Sequence, residues 1–557
     1  MADQDRRLDG VVLTVDGRPL AIDLYSGLTL ARVEESVHLP DYFALHFDDP
    51  HFELFDRGTF TVGTRVEIAF RADSDPVVVT TGEVTAVAVQ PGVTGRHELV
   101  VSGLDLTHRL ARGPKSRGFQ RVTDADIATR IAGEYGLEPD VDSTGEVHEH
   151  VWQAAESDYA FLRRRAARIG FDFWVSDRTF HFKRGPRGTG TPPTLRWGEN
   201  LQHFTARFAS AERCDEVEVR GWDPLAKRAV TGRASEPEHG TDAAAASELA
   251  ASARRSFGRV TRWAGQFPVV DQAEADALAG SLLLRTSGGE AVLRGEAAGD
   301  PRLGAGAEVK IEHVGQRLSG KYRVTAVEHV YGAGRPYVTR FICGGKDAAG
   351  LADLAGGTGT GDGLGGGVRP QGWGGLVTAI VTNNDDPERL GRVKVTFPTL
   401  SPDDESGWAR LASPGAGSAR GLQWLPEVDD EVLVGFEFGD LGRPVVLGGM
   451  WSRTDQPPQP DVPANGAINA RLLASRRDSR LMFTDDPTPT VDLTLGGGSC
   501  AVHLEQSESS LTGDQKLVVT ATQVEIRATQ KLTLNGAQVE ITSSGPLVMS
   551  GKPIKLN

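Results

Sequence analysis

Residues 515–529 read QKLVVTATQVEIRAT and residues 530–544 read QKLTLNGAQVEITSS, a tandem repeat with a fifteen-residue period; a looser copy, GPLVMSGKPIKLN, follows. The apolar residues come in i, i+2 pairs: Leu517 with Val519, Val524 with Ile526, Leu532 with Leu534, Val539 with Ile541, Leu547 with Met549, and Ile554 with Leu556. Such a pair points to one face of a strand. The pairs recur at alternating steps of seven and eight residues, separated by Thr, Ser, Gly, Asn and Gln. Each half-repeat therefore reads as a very short strand with one inward face, followed by a tight corner, in a stacked and quasi-one-dimensional array.

One chain cannot bury such pairs well. At roughly 1.5–3 kcal/mol per fully buried aliphatic side chain, two inward residues do not offset roughly 1–2 kcal/mol of backbone entropy for every residue ordered. Three chains wound about one axis would bury the pairs and pair every strand edge. The expectation is a trimeric β-prism or β-helix whose core is Leu517, Val519, Val524, Ile526, Leu532, Leu534, Val539, Ile541, Leu547 and Met549. The alternative is a short meander in a globular β domain. The regularity, and the lack of a capping element after Asn557, favour the prism and a blunt-ended shaft.

At 557 residues, three or four domains are expected. Apolar content of 39% and charged content of 24% describe a soluble globular protein. A net charge of −15 argues against a nucleic-acid groove as the main function, so no nucleic-acid partner is expected. Cys214, Cys343 and Cys500 lie far apart and make neither a disulfide framework nor a metal spacing. The start, MADQDRRLDG, has no apolar core of a signal peptide, and no apolar run approaches a membrane span. The expectation is assembly in the cytoplasm without a signal peptide, and passage through a membrane only by being pushed.

Residues 1–115 alternate in strand fashion (VVLTVDG, RVEIAF, PVVVTTGEVTAVAV, HELVVSGLDL) and read as a first β barrel. Residues 116–190 form a helical and hairpin insert. Thr123 caps a helix on which Ile127 and Ile131 share a face, and Gly136 ends it. A second helix, ESDYAFLRRRAARIG, has Leu162, Ala166 and Ile169 on one side and stops at Gly170; Arg163, Arg164 and Arg168 read as its solvated face. FDFWV and TFHF make a hairpin. Residues 191–350 contain Ala-rich helices among strands and read as a second barrel. Residues 351–372 are a Gly-rich linker without the GK[ST] of a phosphate loop. In residues 373–452 six segments alternate: LVTAIVTN, GRVKVTFP, WARLA, LQWLP, DEVLVGFEFG and RPVVLGG, with Val432, Val434, Phe436 and Phe438 inward in the fifth. They suit a small closed barrel of the oligonucleotide/oligosaccharide-binding (OB) type. Residues 453–475 are a Pro-rich linker, and residues 476–557 the repeat shaft.

Three segments of the small barrel carry a resemblance: Gly391–Val395 (GRVKV), Pro426–Val434 (PEVDDEVLV) and Arg443–Gly448 (RPVVLG). They resemble the barrel of the VgrG and phage cell-puncturing spike family. SVHLPDYFALHFDDP, AESDYAFLRRRAARIGFDFWV and GKYRVTAVEHVYGAGRPYVTRF are similar to the hub of the same machines. The resemblance implies a mainly β chain with helical inserts: tandem hub barrels, an OB-fold neck and a trimeric prism shaft. It implies a homotrimer that adapts a hexameric tail tube and baseplate proteins to a spike. It further implies that the blunt end, Pro553, Ile554, Lys555, Leu556 and Asn557, docks a conical PAAR-type tip protein. The order of parts looks most like an extracellular contractile injection system or phage-like tail, with a type VI secretion spike next.

No catalytic residue, metal site or cofactor is expected. The linker at 453–475 has no room for the lysozyme domain of some phage relatives. Asp385, Asp386 and Glu388, and likewise Asp429, Asp430 and Glu431, read as solvated turns rather than a glycosidase pair. His148-Glu149-His150 and His503-x-Glu505 have ligand-like spacing without further ligands. A host-surface-binding or sugar-processing tail protein is the competing reading, disfavoured by the hub and neck segments upstream of the shaft.

Overall fold

The computed structural model describes residues 10–71, 75–92, 95–187, 191–211, 213–235, 241–287, 290–332, 334–344, 375–458, 466–496, 500–513 and 515–555. The N-terminal stretch expected to lack a signal peptide, the Gly-rich linker, part of the Pro-rich linker, and Leu556 and Asn557 lie outside the described residues. The chain divides into two units, Met1–Met450 and Trp451–Asn557.

Alternation builds the first unit. In the strand Tyr42–Asp48, Phe43, Leu45 and Phe47 are fully buried, and in Arg65–Phe70 so are Val66, Ile68 and Phe70. These strands belong to a thirteen-stranded sheet that runs through both regions expected to be separate barrels. The seam is the antiparallel pairing of Leu28–Ser36 with Gly320–Gly332, which sets Val33 opposite His329. Two cores lie along this one sheet, one around Phe43 and Ile68, the other around Val309, Tyr322 and Phe341. Residues 191–350 also hold a layer that sequence alternation merged into the barrel. The strands Arg228–Ala234, Glu216–Asp223 and Thr261–Ala264 form their own sheet, and the helix Gln272–Ser287 covers it through Ala275, Leu278 and Leu283.

The insert follows its local signals. Asp124–Glu134 is a helix closed by a capping box: Thr123 Oγ1 accepts from Asp126 N at 3.1 Å, and Asp126 Oδ2 accepts from Thr123 N at 2.9 Å. Asp158–Ile169 starts on Ser157 and stops at Gly170, whose φ of +71° suits glycine. The hairpin Phe171–Ser176 and Thr179–Arg184 packs Phe173, Phe180 and Phe182 against both helices.

The neck is a six-stranded sheet in the order Ser401–Glu405, Lys394–Phe397, Val377–Asn383, Glu431–Phe436, Pro444–Gly449, Arg410–Leu411. It closes where Val393 and Ala409 exchange backbone hydrogen bonds of 3.0 and 2.7 Å. The expected strand LQWLP is not one: Leu422 and Trp424 are exposed in a loop, while Ser401–Glu405, unmarked by alternation, is a strand. Phe438 leaves the inward series because its φ of +52° turns the chain, exposing the ring.

In the second unit, Ala470–Ala474, Arg480–Thr484, Thr490–Thr494, Cys500–Glu505 and Ser509–Leu511 form a five-stranded antiparallel meander in chain order. Its first strand lies inside the expected linker 453–475. Residues 515–555 then run without a strand ladder to their own chain and are exposed throughout. The half-repeats are therefore not strands within one chain, because a segment with two inward residues finds no edge in its own chain to pair with.

Candidate functional site

Register divides the meander into two unlike faces. Leu473 pairs with Leu481, Leu481 with Leu493, Leu493 with Val502 and Val502 with Leu511. Phe483 pairs with Val491, and Val491 with Leu504. Paired residues share a face, so eight apolar side chains cover one side of the sheet. The other side carries Met482, Asp492 and His503 in one row and Thr484, Thr490 and Glu505 in the next. On the isolated chain Leu473, Phe483, Leu493, Leu504 and Leu511 are 42–58% exposed. An apolar sheet face of this extent marks an interaction surface.

The repeat continues that exposure. Leu517, Val519, Val524, Ile526, Leu532, Leu534, Val539, Ile541, Leu547 and Met549 are each 54–66% exposed, and Ile554 is exposed as well. The structure thus leaves the expected core open in a single chain. Sequence reasoning missed the meander face, although its signal was present: Leu481 and Phe483, Val491 and Leu493, and Val502 and Leu504 are the same i, i+2 pairs at wider spacing.

The ligand-like histidines are held by other groups. His148 Nε2 lies 3.2 Å from Asp124 Oδ2 and its Nδ1 lies 3.3 Å from Glu146 Oε1. Burial opposes its charge, but these carboxylates hold its pKa above the ordinary value. His150 Nε2 donates to the Glu405 carbonyl at 2.9 Å, and burial pushes its pKa down to about 4, so it is neutral. His503 faces Asp492 and Glu505 on the polar side of the meander.

The arginines of the second insert helix are not a solvated face. Arg164 pairs with Glu156, Arg168 with Glu274, and Arg163 Nη1 donates to the His38 carbonyl at 3.2 Å. Arg165, which the pattern assigned to neither side, is buried against Asp124, with Nη2 3.0 Å from Oδ2. Glu274 also reaches Arg443 of the neck at 3.5 Å. Glu146, Asp271 and Glu274 lie near enough to share a cation, but two arginines already neutralise Glu274. Asp385 and Glu388 are exposed as expected, whereas Asp386 is buried: Arg392 donates to it from Nε at 3.0 Å and from Nη2 at 2.7 Å. Asp429 and Asp430 remain at a turn, with Asp429 at φ +75°, whereas Glu431 opens the strand that follows. Cys214 and Cys343 are buried free thiols, and burial pushes the Cys343 pKa well up.

A closed OB barrel, a hub sheet with a helical insert, and an exposed apolar stack downstream define a class of protein. Residues 377–451 match the Type VI secretion system/phage-baseplate injector OB domain. Residues 45–332, more than half of the chain, match the Alg8 N-terminal domain. The chain is 33% identical over 125 residues to the type VI secretion system spike protein VgrG2a of Pseudomonas aeruginosa, covering 21% of this chain and 15% of that one. It is 29% identical over 127 residues to the spike protein VgrG3 of Vibrio cholerae, covering 21% and 12%. The aligned stretches are thus a small part of those relatives. In fold, it is similar to a chain of the half-lidded Francisella PdpA–VgrG complex, with a TM-score of 0.50 at 8% identity over 90% of this chain and 88% of that one. The chain belongs to the family of the Alg8 N-terminal domain. Its barrel is of the type VI secretion and phage-baseplate injector kind, and the chain is similar in part to VgrG spike proteins.

Proposed function

We propose that three copies of this chain form the structural central spike of a contractile injection apparatus. The hub adapts a hexameric tail tube and baseplate to three-fold symmetry, and the shaft pierces the target envelope on sheath contraction. The role is mechanical rather than enzymatic, with assembly in the cytoplasm. The observation that carries this reading is the apolar face of the meander continued by the open repeat, placed after a neck barrel of the injector type. Two further copies would cover that face and pair the strand edges. Exposed Pro553, Ile554 and Lys555 from three copies would present a small, partly apolar platform for a PAAR-type tip protein; Leu556 and Asn557, expected to share in it, lie outside the described residues.

Electron microscopy of the purified full-length chain should show a three-fold particle with a broad hub and a narrow shaft; a monomeric particle would overturn the assignment. Capture of a co-expressed PAAR protein should be lost when residues 546–557 are deleted. Equal recovery by both forms would place tip docking elsewhere. A type VI secretion spike is the second reading, favoured by the curated relatives. Adjacent genes for a sheath, tube and membrane complex would distinguish it from an extracellular system.

A further inference from the structure

The hub sheet carries a group of carboxylates that a purely mechanical role does not require. Glu35 lies at the end of the strand Leu28–Ser36, Asp41 precedes Tyr42–Asp48, and Asp105 ends His97–Asp105. Asp105 N donates to the Asp41 carbonyl at 3.0 Å, fastening two of these strand ends together. The Asp105 carboxylate accepts from Thr107 N at 3.0 Å and Thr107 Oγ1 at 3.1 Å. Glu35 Oε2 accepts from Ala305 N at 2.9 Å, which ties the first hub core to the loop that borders the second.

Few positive charges answer these three acids. Arg187, just after the insert hairpin, faces Asp41 and Glu35, but it also faces Asp172 and the like charge of Arg323, and it stacks on Trp174 at 4.5 Å. His329 Nε2 lies 3.7 Å from Glu35 Oε1 yet donates to the Leu303 carbonyl at 3.1 Å. Its Nδ1 accepts from Tyr337 at 2.7 Å, and burial pushes its pKa down to about 4, so it brings no charge near neutrality. Asp300, which also faces His329, is taken up by Arg302. From the insert helix, Tyr159 faces Asp105, and both Tyr159 and Arg163 donate to the His38 carbonyl. A cavity of about 200 Å³ reaches the group, with Asp41, Asp105, His38, Tyr159 and Trp174 on its wall. It gives protons and water a route to Asp41 and Asp105.

We propose that Glu35, Asp41 and Asp105 form a proton-dependent latch where the two hub cores meet the helical insert, closed when the acids hold protons and loosened by like-charge repulsion when they lose them. Burial, then repulsion from Asp41, raises the pKa of Glu35 to about 8 and also raises that of Asp105; burial raises that of Asp41 despite Arg187. A carboxyl with a higher pKa folded than unfolded stabilises the folded form at low pH. That contribution is lost as pH climbs from the ordinary carboxylate range through the raised value.

The test is hydrogen exchange of the full chain at pH 5.5 and 8.5, corrected for intrinsic rates, with thermal melting alongside. Segments 28–36, 41–48 and 303–307 should lose protection in alkali, relative to 394–397 in the neck. The melting temperature of the wild type should fall across the same interval, and Glu35→Gln combined with Asp41→Asn should flatten that slope. Should the double variant fail to fold, Glu35→Gln alone is compared by infrared absorption: the wild type should show a protonated-carboxyl band at neutral pH that the variant weakens. Equal corrected protection of those segments at both pH values, parallel melting profiles, or an unchanged band would each overturn the latch.

Discussion

At the residue scale, two side chains do what their position in the sequence conceals. Asp386 sits among turn acids, yet it accepts from Arg392 and from the backbone N–H groups of Glu388 at 3.1 Å and Leu390 at 2.8 Å. The Arg392 guanidinium and these donors hold its pKa well below the usual carboxylate range. Asp386→Asn should destabilise the neck by about 2 kcal/mol, the scale of hydrogen bonds to a charged acceptor. A carboxylate with a depressed pKa contributes stability above its ordinary 3.8 and loses it as pH falls. Denaturation midpoints of the two proteins should therefore differ at pH 7 and converge in strong acid; a constant gap would mean that packing, not charge, is at stake. Trp152 belongs to the insert strand His148–Glu156, but its ring is buried in the neck core, edge-on to Phe397 at 6.0 Å. Beside it His150 reaches Glu405, 255 residues away in sequence. Removing a buried aromatic costs about 3–5 kcal/mol. Trp152→Ala should lower thermal stability and split calorimetric melting of hub and neck into separate steps. An unshifted single transition would show that the ring does not couple them.

At the element scale, legibility followed the range of the interaction. The two insert helices were readable because their caps are local: Thr123 with Asp126, Ser157 with Ala160, Gly170 at the C-terminus. The hub seam was not, since the pairing of Leu28–Ser36 with Gly320–Gly332 leaves no mark in either strand. Arg165 was unreadable for the same reason, as its partner Asp124 lies on the preceding helix. The barrel strands were read from alternation, which fails at Ser401–Glu405 because only Ser401 of that strand is buried. The meander was hidden because its apolar pairs lie farther apart than those of the repeat. Its two faces give a sharp comparison. In the proposed trimer Leu493→Asp would put three carboxylates into the face that the other copies cover, and an unpaired charge there costs several kcal/mol. Thr494→Lys places its charge on the opposite face, in the row of Arg480. Sedimentation should show loss of trimer for the first and retention for the second. The reverse result would mean that the polar face with His503 is the covered one.

At the scale of the whole molecule, the proposed trimer raises the question of which part would hold three chains together. Ten core residues of the repeat, each more than half exposed in one chain, would each contribute about 1 kcal/mol on burial of the exposed part. That is on the order of 10 kcal/mol per chain, before the meander face is counted, against roughly 4–15 kcal/mol lost in freedom for each association step. The second unit, Trp451–Asn557, therefore has enough apolar surface to drive assembly by itself. The hub's first core, by contrast, is closed within one chain, with Phe43, Phe47 and Phe70 fully buried. Light scattering on the full chain should give three subunits, and a chain ending at Met450 should give one. Leu534→Asp in the full chain should act like the truncation while leaving the far-ultraviolet signature of the hub intact, because that unit does not depend on the shaft for its core. If the chain ending at Met450 remains trimeric, the hub and neck carry the association, and the exposed repeat assembles only after they have brought the three chains together.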